Sequence, residues 1–308
     1  MIHLSRRKMK DKHLMGVTGN DESRKLIIIG GMHGNEHSGP EAMRRVMEHL
    51  RKAGHPVGGQ VYFILGNLKA LERGERFVDT DLNRIWSDEH LRSASTDYDY
   101  NELREIHALI ERICGGRYED CALLDLHTFS ADSGLFCIPA ENAPSEALAR
   151  YFGVPYIEKL ARSLPETALN YYGEKGMTSV VFEGGKHNTP EATDNLERAI
   201  WLTLAYLNYI RKEDFPFVDD MKKYLEKISA AYPHRLEMVY RHRLEDYHHY
   251  RMNDGYYNFK PVDKGEPVAR QNGRDVRTPF GGFMLMPLYQ KKGSDGFFIV
   301  QERKHHRH

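Results

Sequence analysis

The sequence predicts an α/β fold: a mixed, largely parallel β-sheet flanked by helices, followed by a smaller C-terminal β-rich domain. Short apolar segments alternate with amphipathic helical patterns over the first 210 or so of the 308 residues, and this alternation is typical of a parallel sheet. Beyond that point the sequence becomes polar and charged, and then rich in glycine and proline. We therefore predict a main α/β domain over residues 1–213 and a helical connector with a small β domain over residues 214–308.

The main domain is predicted from apolar segments of strand length and from segments with helical periodicity. The predicted strands are residues 24–30, 60–66, 121–127, 134–139 and 178–183. The predicted helices are residues 40–52, 100–114 and 189–211. Thr189, Pro190 and Glu191 suit the start of the last helix as N-cap, first-turn proline and first-turn acid.

The C-terminal part is predicted from a change of pattern after the last long helix. Residues 217–249 are polar and charged, with a helical pattern. After Tyr250 the chain consists of short strand-like pieces separated by glycine and proline, namely residues 255–262, 266–273, 275–287 and 296–302. These pieces predict a small β domain.

Composition excludes several classes of function. Lys plus Arg and Asp plus Glu both number 44, so the formal net charge is zero, which disfavours a nucleic-acid partner. No apolar stretch is long enough for a membrane span, and the basic N-terminus has no apolar run typical of a secretory signal. A cytoplasmic location is the default expectation. Three cysteines without a CxxC pair predict neither a disulfide framework nor a thiolate metal site.

Two motifs follow predicted strands and carry metal-ligand residues. His33 and Glu36 lie three residues apart in the glycine-rich segment after the first strand, and the strand 121–127 ends with Asp125 and His127. Active sites of open α/β sheets lie at the carboxyl ends of the strands, where both motifs fall. Two histidines and one carboxylate suit a catalytic zinc with a free fourth position, and a non-haem iron triad is the chemical competitor. Asp125 and His127 point to the same face, so Asp125 is predicted to support the site.

Two further segments supply candidate hydrolytic groups. Arg76, Asn83 and Arg84 lie in a non-apolar segment that is either ordinary surface or a clamp for a carboxylate. Glu183 closes the strand 178–183, where a carboxylate is well placed to act as a general base. These groups favour hydrolysis over iron-dependent oxidation.

In this order the segments GGMHGNEHSG, DTDLNRIW, LLDLHT and VVFEGG resemble the succinylglutamate desuccinylase/aspartoacylase family, a branch of the zinc-carboxypeptidase-like fold. The resemblance implies a zinc-dependent amidohydrolase that removes an acyl group from a small anionic N-acyl amino acid. It further implies one Zn²⁺ per chain and a role for each matching residue. The implied zinc ligands are His33, Glu36 and His127; Asn83 and Arg84 bind the substrate carboxylate, Arg76 polarises the scissile carbonyl, Glu183 is the general base and Asp81 orients a zinc-bound histidine.

The sequence departs from the family in two places. Members that bind N-acetylaspartate carry another arginine upstream of the general base, whereas this chain has Gly173 there, with Arg162 and Lys175 as the nearby cations. Aspartoacylase specificity is therefore not implied. Residues 264–282 are similar to biotinyl and lipoyl carrier domains, but residues 271–275 contain no lysine to modify. We expect this domain to cover the active-site mouth and restrict substrate size.

Two alternatives stay open on the sequence alone. A zinc metallocarboxypeptidase acting on short peptides would share the metal ligands and the carboxylate clamp. A zinc-binding protein without catalysis would need neither Glu183 nor Arg76 and would normally close its fourth coordination position. The sequence does not decide whether the chain forms a homo-oligomer.

Overall fold

A computed structural model describes residues 11–132, 134–245 and 248–303. The basic N-terminal residues 1–10 and the histidine-rich tail at residues 304–308 lie outside the described residues. Within the described part the fold class is as predicted: a large mixed sheet, largely parallel in its centre, carries helices on both faces, and a C-terminal region is rich in antiparallel strands.

Fourteen strands form two sheets in the part of the chain that is described. The strands are β1 (Leu14–Thr18), β2 (Lys25–Gly30), β3 (Gln60–Leu65), β4 (Cys121–Phe129), β5 (Phe136–Pro139), β6 (Tyr156–Glu158), β7 (Thr178–Lys186), β8 (Arg235–Arg243), β9 (Tyr250–Met252), β10 (Pro261–Val262), β11 (Pro267–Gln271), β12 (Arg274–Arg277), β13 (Gly282–Leu285) and β14 (Asp295–Glu302). The large sheet has the order β1-β3-β2-β4-β7-β5-β6-β8-β14-β13-β10, and a small sheet has the order β12-β11-β9. Strands β3, β2, β4 and β7 run parallel to one another.

Nine α-helices surround the large sheet in the described ranges. They are α1 (Ser38–Ala53), α2 (Leu68–Arg73), α3 (Asp88–Arg92), α4 (Tyr98–Cys114), α5 (Ala143–Tyr151), α6 (Leu160–Ser163), α7 (Ala168–Glu174), α8 (Pro190–Tyr206) and α9 (Phe217–Ser229). Short 3-10 turns occur at Leu82–Arg84, Tyr118–Asp120 and Lys212–Asp214.

The parallel strands are buried on both faces, which explains their continuous apolar sequences. Leu26 and Ile28 of β2 point into a core formed with α1 and α8, whereas Ile27 and Ile29 point into a second core formed with α4. All six residues of β2 and all nine of β4 are buried. A strand sandwiched in this way holds its carboxyl end in a fixed position.

Two predicted elements differ from the structure. The helix that starts at Pro190 ends at Tyr206 rather than near residue 211, because Asn208 adopts a left-handed conformation (φ 56°) that stops helices. The helical prediction for residues 217–249 is wrong beyond Ser229, since residues 235–243 form strand β8. In that segment Leu236, Met238 and Tyr240 recur at every second position, which is a strand periodicity, although Val239 between the last two is also apolar.

The C-terminal strands extend the same large sheet. Strand β8 pairs in parallel with β6, beginning at Tyr156 and Arg235, and antiparallel with β14. The predicted boundary between residues 213 and 214 stays a prediction, and the continuous sheet ties the two parts together. Among the described residues, no helix has the length and apolarity that a membrane crossing would require.

Candidate metal centre and active site

The loop after β2 turns sharply because two glycines permit it. Gly31 has φ 77°, a conformation that glycine adopts without strain. A β-carbon on Gly34 would come within 1.9 Å of the Ala70 backbone, so no larger residue fits there. The tight loop brings His33 and Glu36, both buried, to the carboxyl end of β2 just before α1.

The neighbouring strands bring the next groups to the same edge. His127 lies near the end of β4 and is paired in register with Glu183 of the adjacent parallel strand β7. Parallel strands place their carboxyl ends together, so residues distant in sequence meet there. The backbone N–H of Thr128 donates to Glu36 Oε2 at 2.8 Å, which fixes the Glu36 carboxylate against β4.

The loop that carries Arg76, Asp81 and Asn83 is held by a buried carboxylate. Asp99, at the start of α4, accepts hydrogen bonds from the backbone N–H groups of residues 78, 79 and 80 and from the Asn67 side chain. Asp81 then caps the short turn after it by accepting from the Asn83 N–H at 3.0 Å. Hydrogen bonds to the Asp99 and Asp81 carboxylates therefore fix the conformation of this loop.

Three candidate metal ligands converge. His33 Nδ1 lies 2.7 Å from Glu36 Oε1, and His127 Nδ1 lies 3.3 Å from Glu36 Oε2. The three donor atoms all lie within 4.8 Å of one another. Ligands about 2 Å from one zinc ion would be separated by roughly 3.3 Å, so this donor set fits a zinc ion.

A carboxylate lies beside the ring nitrogen of each imidazole that faces away from Glu36, and for His33 the geometry is that of a hydrogen bond. His33 Nε2 lies 3.1 Å from Asp81 Oδ1, and His127 Nε2 lies 2.9 Å from Asp125 Oδ2. This pattern is typical of metal-ligating histidines, because the outer carboxylate fixes the ring and leaves the other nitrogen free to bind. Asp81 and Asp125 thus lie where the sequence analysis predicted supporting carboxylates.

The protonation of this cluster is set by its charges. Burial alone would raise the pKa of Glu36, but the His33 and His127 imidazoles hold it well below its usual range. Burial likewise opposes a charged His127, yet Asp125 and Glu36 raise its pKa well above the usual value. A metal ion entering the cluster would have to displace a proton from His127.

Arg76 is anchored by the carboxylate that also contacts His33. Asp81 Oδ2 accepts from Arg76 Nε at 3.1 Å and lies 3.0 Å from Arg76 Nη2. Arg76 Nη1 lies 3.9 Å from Glu36 Oε1, so the guanidinium borders the ligand cluster. Despite its burial, the Arg76 guanidinium and the His33 ring keep the pKa of Asp81 well below its usual range.

Glu183 lies beside the ligand cluster in an environment that disfavours its charge. It is 4% exposed, and its Oε2 atom makes no hydrogen bond to the described residues. Burial raises the pKa of Glu183 to about 8; the Glu36 carboxylate adds to this effect and His127 opposes it. A buried carboxyl group with a raised pKa next to a candidate metal site is suited to accept and return a proton.

Asn83 and Arg84 line the same cavity but are partly engaged by the protein. Asn83 Nδ2 lies 3.5 Å from His127 Nε2, and its Oδ1 accepts from the Ala168 N–H. Arg84 Nη2 donates to Asp295 Oδ2 at 3.1 Å, and Arg241 Nε donates to Asp295 Oδ1 at 2.6 Å. The C-terminal strands therefore contribute charged groups to the site.

The cavity contains every predicted ligand and the predicted catalytic and clamp residues. Its lining consists of His33, Glu36, Arg76, Asn83, Arg84, His127, Thr128, Ile138, Ala161, Leu164, Thr167, Leu169, Val181, Glu183 and Met286. Asp81 and Asp125 lie behind the ligands and are not part of the lining. A second cavity shares Arg76, Arg84, Thr128 and Met286 with the first and extends towards the C-terminal region.

A loop near the C-terminus (residues 286–294, the mouth loop) lines part of this second cavity. Asn35 Nδ2 donates to Gln290 Oε1 at 3.1 Å, and Lys292 Nζ lies 3.2 Å from Glu75 Oε2. The Tyr289 N–H donates to the Ser130 hydroxyl. These contacts join the mouth loop to the loops that follow β2, α2 and β4.

Several residues at the site were not identified from the sequence. Asp295, Arg241 and Met286 lie far along the chain from the motifs, and no local pattern marks them. His187 lies 2.8 Å from the Thr128 hydroxyl through Nδ1, and its position four residues after Glu183 is a signal that could have been noticed. Arg162 and Lys175 do not line the cavity.

Comparisons with known proteins agree with this architecture. The family described as "Succinylglutamate desuccinylase/Aspartoacylase catalytic domain" matches residues 22–210. An aspartoacylase from Xenopus tropicalis is 27% identical over 228 residues, which cover 68% of this chain and 70% of that protein. An N-acyl-aromatic-L-amino acid amidohydrolase (carboxylate-forming) from Xenopus laevis is 24% identical over 305 residues, covering 91% of this chain and 94% of that protein.

Structural comparison shows the same fold. The crystal structure of a succinylglutamate desuccinylase from Vibrio cholerae has a TM-score of 0.66 at 16% identity and covers 93% of this chain and 85% of that chain. Sequence alignments with several curated succinylglutamate desuccinylases are shorter and span about a third or less of those proteins.

Proposed function

Because this chain belongs to the succinylglutamate desuccinylase/aspartoacylase family, we propose that it is a zinc-dependent amidohydrolase that deacylates a small anionic N-acyl amino acid. The observation that carries the proposal is the convergence of the His33, Glu36 and His127 donor atoms beside the buried Glu183. The three donors leave one position open in a four-coordinate zinc site, as catalytic zinc sites require. The non-catalytic alternative does not account for a buried acid placed next to the donors.

Each chain residue has a defined task in this proposal. A zinc ion at this site would supply a Lewis acid for the carbonyl group and for water. Glu183 accepts the proton from the attacking water and returns it to the amine nitrogen as the carbon–nitrogen bond breaks. Arg76, fixed by Asp81, donates to the carbonyl oxygen as it gains negative charge.

Charge explains why an anionic substrate is favoured. Three arginines at the site face four carboxylates other than Glu183, namely Arg76, Arg84 and Arg241 against Glu36, Asp81, Asp125 and Asp295. With His127 protonated, these charges balance in the metal-free site. A divalent cation that displaces that proton leaves a net charge of about +1 while Glu183 is neutral. Arg84, which lines the cavity, is the group we assign to the substrate carboxylate together with Asn83.

The mouth loop favours small substrates over peptides. Contacts of Gln290, Lys292 and Tyr289 join it to the loops that follow β2, α2 and β4. Its first residue, Met286, lines the cavity that contains the candidate metal ligands. A peptide substrate needs an open groove beyond the scissile bond, whereas an N-acyl amino acid ends after a few atoms. The metallocarboxypeptidase alternative is therefore disfavoured.

The test is hydrolysis by the purified, zinc-loaded protein. N-acetyl, N-succinyl and N-formyl amino acids are compared with short unblocked peptides, and release of the free amino acid is measured. We expect release from N-acyl amino acids and loss of release after zinc is chelated. Release of C-terminal residues from peptides alone would instead support the metallocarboxypeptidase, and no release from any substrate would contradict the proposal.

A further inference from the structure

Part of the first cavity, the one that contains the candidate metal ligands, has an apolar lining. Ile138, Ala161, Leu164, Leu169 and Val181 line it, and each is at most 9% exposed. Val181 is two residues before Glu183 on β7, so both side chains point to the same face, and Val181 is paired in register with Ile138 of β5. Ala161, Leu164 and Leu169 come from α6, the connection after it and α7. We call these five residues the apolar wall.

The apolar wall adjoins two groups that we assign to the amine half of the substrate. Asn83, assigned to the carboxylate of the amino acid, accepts a hydrogen bond from Ala168, the neighbour of Leu169. Glu183, assigned to the departing nitrogen, shares a strand face with Val181. The carboxylate and the nitrogen of an amino acid are attached to the same carbon as its side chain. That side chain is therefore directed towards the apolar wall.

Among the described residues, no cation at the apolar wall is available for a second carboxylate. The described lining contains two arginines, Arg76 and Arg84, which are paired with Asp81 and Asp295 and are already assigned to the carbonyl oxygen and to the first carboxylate. No lysine is among the described lining residues. A carboxylate at this position would also face Glu183 and would lose its hydration without gaining a partner, which is unfavourable.

The cations that could have replaced the missing arginine lie elsewhere. A β-carbon on Gly173 would come within 2.4 Å of the Ala140 β-carbon, so a side chain at this position is excluded without rearrangement. Arg162 pairs with Glu141 and is 62% exposed. The Lys175 ammonium lies 4.7 Å from the centre of the Tyr171 ring, outside the cavity lining.

We infer that the substrate is an N-acyl amino acid with an apolar side chain and a single carboxylate on its amine half. This inference rests on the proposed function and specifies its substrate class. It predicts discrimination between near-isosteric side chains, because leucine, asparagine and aspartate have similar shapes and differ in polarity and charge. The apolar wall should favour leucine, then asparagine, then aspartate.

The first experiment measures kcat/KM of the zinc-loaded protein for N-acetyl-L-leucine, N-acetyl-L-asparagine and N-acetyl-L-aspartate. A constant acyl group isolates the effect of the side chain. We expect at least a tenfold preference for the leucine derivative over the aspartate derivative. An equal or greater rate constant for the aspartate derivative would overturn the inference.

The second experiment relocates a cation. Leu164→Arg places a guanidinium at the apolar wall and should shift the leucine-to-aspartate ratio by at least tenfold towards aspartate. Arg162→Ala and Lys175→Ala remove the nearby cations outside the wall and should leave the ratio unchanged. A lost ability to bind the aspartate derivative in either alanine variant would show that a surface cation reaches the cavity and would overturn the inference.

Binding separates this inference from the proposed function and does not depend on Leu164→Arg folding. Calorimetric titration of the zinc-loaded Glu183→Gln variant gives dissociation constants for N-acetyl-L-leucine and N-acetyl-L-aspartate without turnover. Tighter binding of the leucine derivative supports the inference even if the wild-type protein hydrolyses neither compound, a result that would contradict only the proposed function. Tighter binding of the aspartate derivative, or no saturable binding of either, would overturn the inference.

Discussion

Among the described residues, two groups of three side chains combine histidine with glutamate closely enough to hold a metal ion, and their surroundings differ. The first contains His33, Glu36 and His127; the second contains His13, Glu102 and Glu105, whose donor atoms also lie within 4.8 Å of one another. Residue types alone would make both clusters candidates. The neighbours of each cluster decide the difference.

In the second cluster a lysine already balances the acids. Lys12 Nζ lies 3.0 Å from Glu102 Oε1 and 2.6 Å from Glu105 Oε2. His13 Nδ1 contacts the carbonyl oxygens of Leu65 and Gly66, so it carries a proton and donates. Glu102 also accepts from the Leu68 N–H. The cluster joins the segment before β1 to α4 and to the chain after β3.

In the first cluster acids face both histidines, and the nearest cation, Arg76, is paired with one of those acids, Asp81. Asp81 and Asp125 lie beside the outer nitrogens of the two histidines, and the part of the cavity lining that the structure describes contains no lysine. We therefore expect the first cluster to bind a metal ion and the second, whose acids are paired with Lys12, to be structural. Three pairs of substitutions and one pH series test this distinction.

Removing one histidine from each cluster should have opposite consequences. His127→Ala removes a ligand, and we expect loss of stoichiometric zinc and of turnover. His13→Ala should retain both but lower the free energy of unfolding by about 1–3 kcal/mol, because buried acceptors lose their donor. Metal analysis, activity and denaturant unfolding check this pair. Zinc loss in His13→Ala, or zinc retained tightly in His127→Ala, would reverse the assignment of the clusters.

Neutralising Glu183 beside the first cluster and Glu102 within the second separates an effect on proton transfer from an effect on structure. Glu183→Gln keeps the shape and the zinc but cannot accept a proton, so we expect turnover to fall by roughly 10²–10⁴-fold. Glu102→Gln, the matched change in the second cluster, should leave turnover and zinc content near those of the wild type. Steady-state kinetics at saturating zinc measure both variants. Normal turnover by Glu183→Gln would remove Glu183 from its proposed role.

Changing an outer carboxylate should weaken the metal site without abolishing it. Asp81→Asn removes the charge that orients His33 and Arg76, and outer-shell changes of this kind typically cost about 10–100-fold in metal affinity or activity. Glu105→Gln is the control, because Glu105 contacts Lys12 at a half-exposed position. Competition with a chromogenic chelator gives the affinities. Equal zinc affinity in Asp81→Asn and the wild type would show that Asp81 does not orient a ligand.

The smallest effect concerns the pH dependence of stability without metal. The folded-state pKa of Glu183 is about 8, above its ordinary 4.5, so folding favours the protonated form. Its contribution to stability is fully present below about pH 4.5 and is lost as the pH rises through 8, with a slope of at most about 1.4 kcal/mol per pH unit. Glu183→Gln should lack this component. Unfolding of both proteins in chelator from pH 5 to 8 measures it, and a constant difference between them would contradict the shifted pKa.

Much of the architecture follows from the sequence because local patterns encode it. The apolar segments at residues 24–30, 60–66, 121–127, 134–139 and 178–183 correspond to strands β2, β3, β4, β5 and β7. Strands buried on both faces have continuous apolar sequences, and helices α1, α4 and α8 have clear periodicity. Strand β8 is not among the predicted strands because its charged residues resemble those of an exposed helix, although its alternation indicates a strand.

The sequence also determined which residues meet in the candidate metal centre. Each of the four residues concerned follows or ends a predicted parallel strand: His33, Glu36, His127 and Glu183. The carboxyl ends of parallel strands lie at one edge of the sheet, irrespective of the length and sequence of the connecting loops. The order of the motifs along the chain is therefore enough to propose the zinc ligands. Their chemical roles stay predictions that the experiments above address.

Only the tertiary structure decided what surrounds that centre. Asp295 contacts Arg84 from 211 positions away, and the apolar wall combines residues of two strands with residues from the α6–α7 segment. Such contacts depend on the path of the whole chain and on side-chain packing, neither of which leaves a periodic trace in the sequence. The same reason explains the second histidine cluster, since Lys12 pairs with its acids through contacts that no motif records.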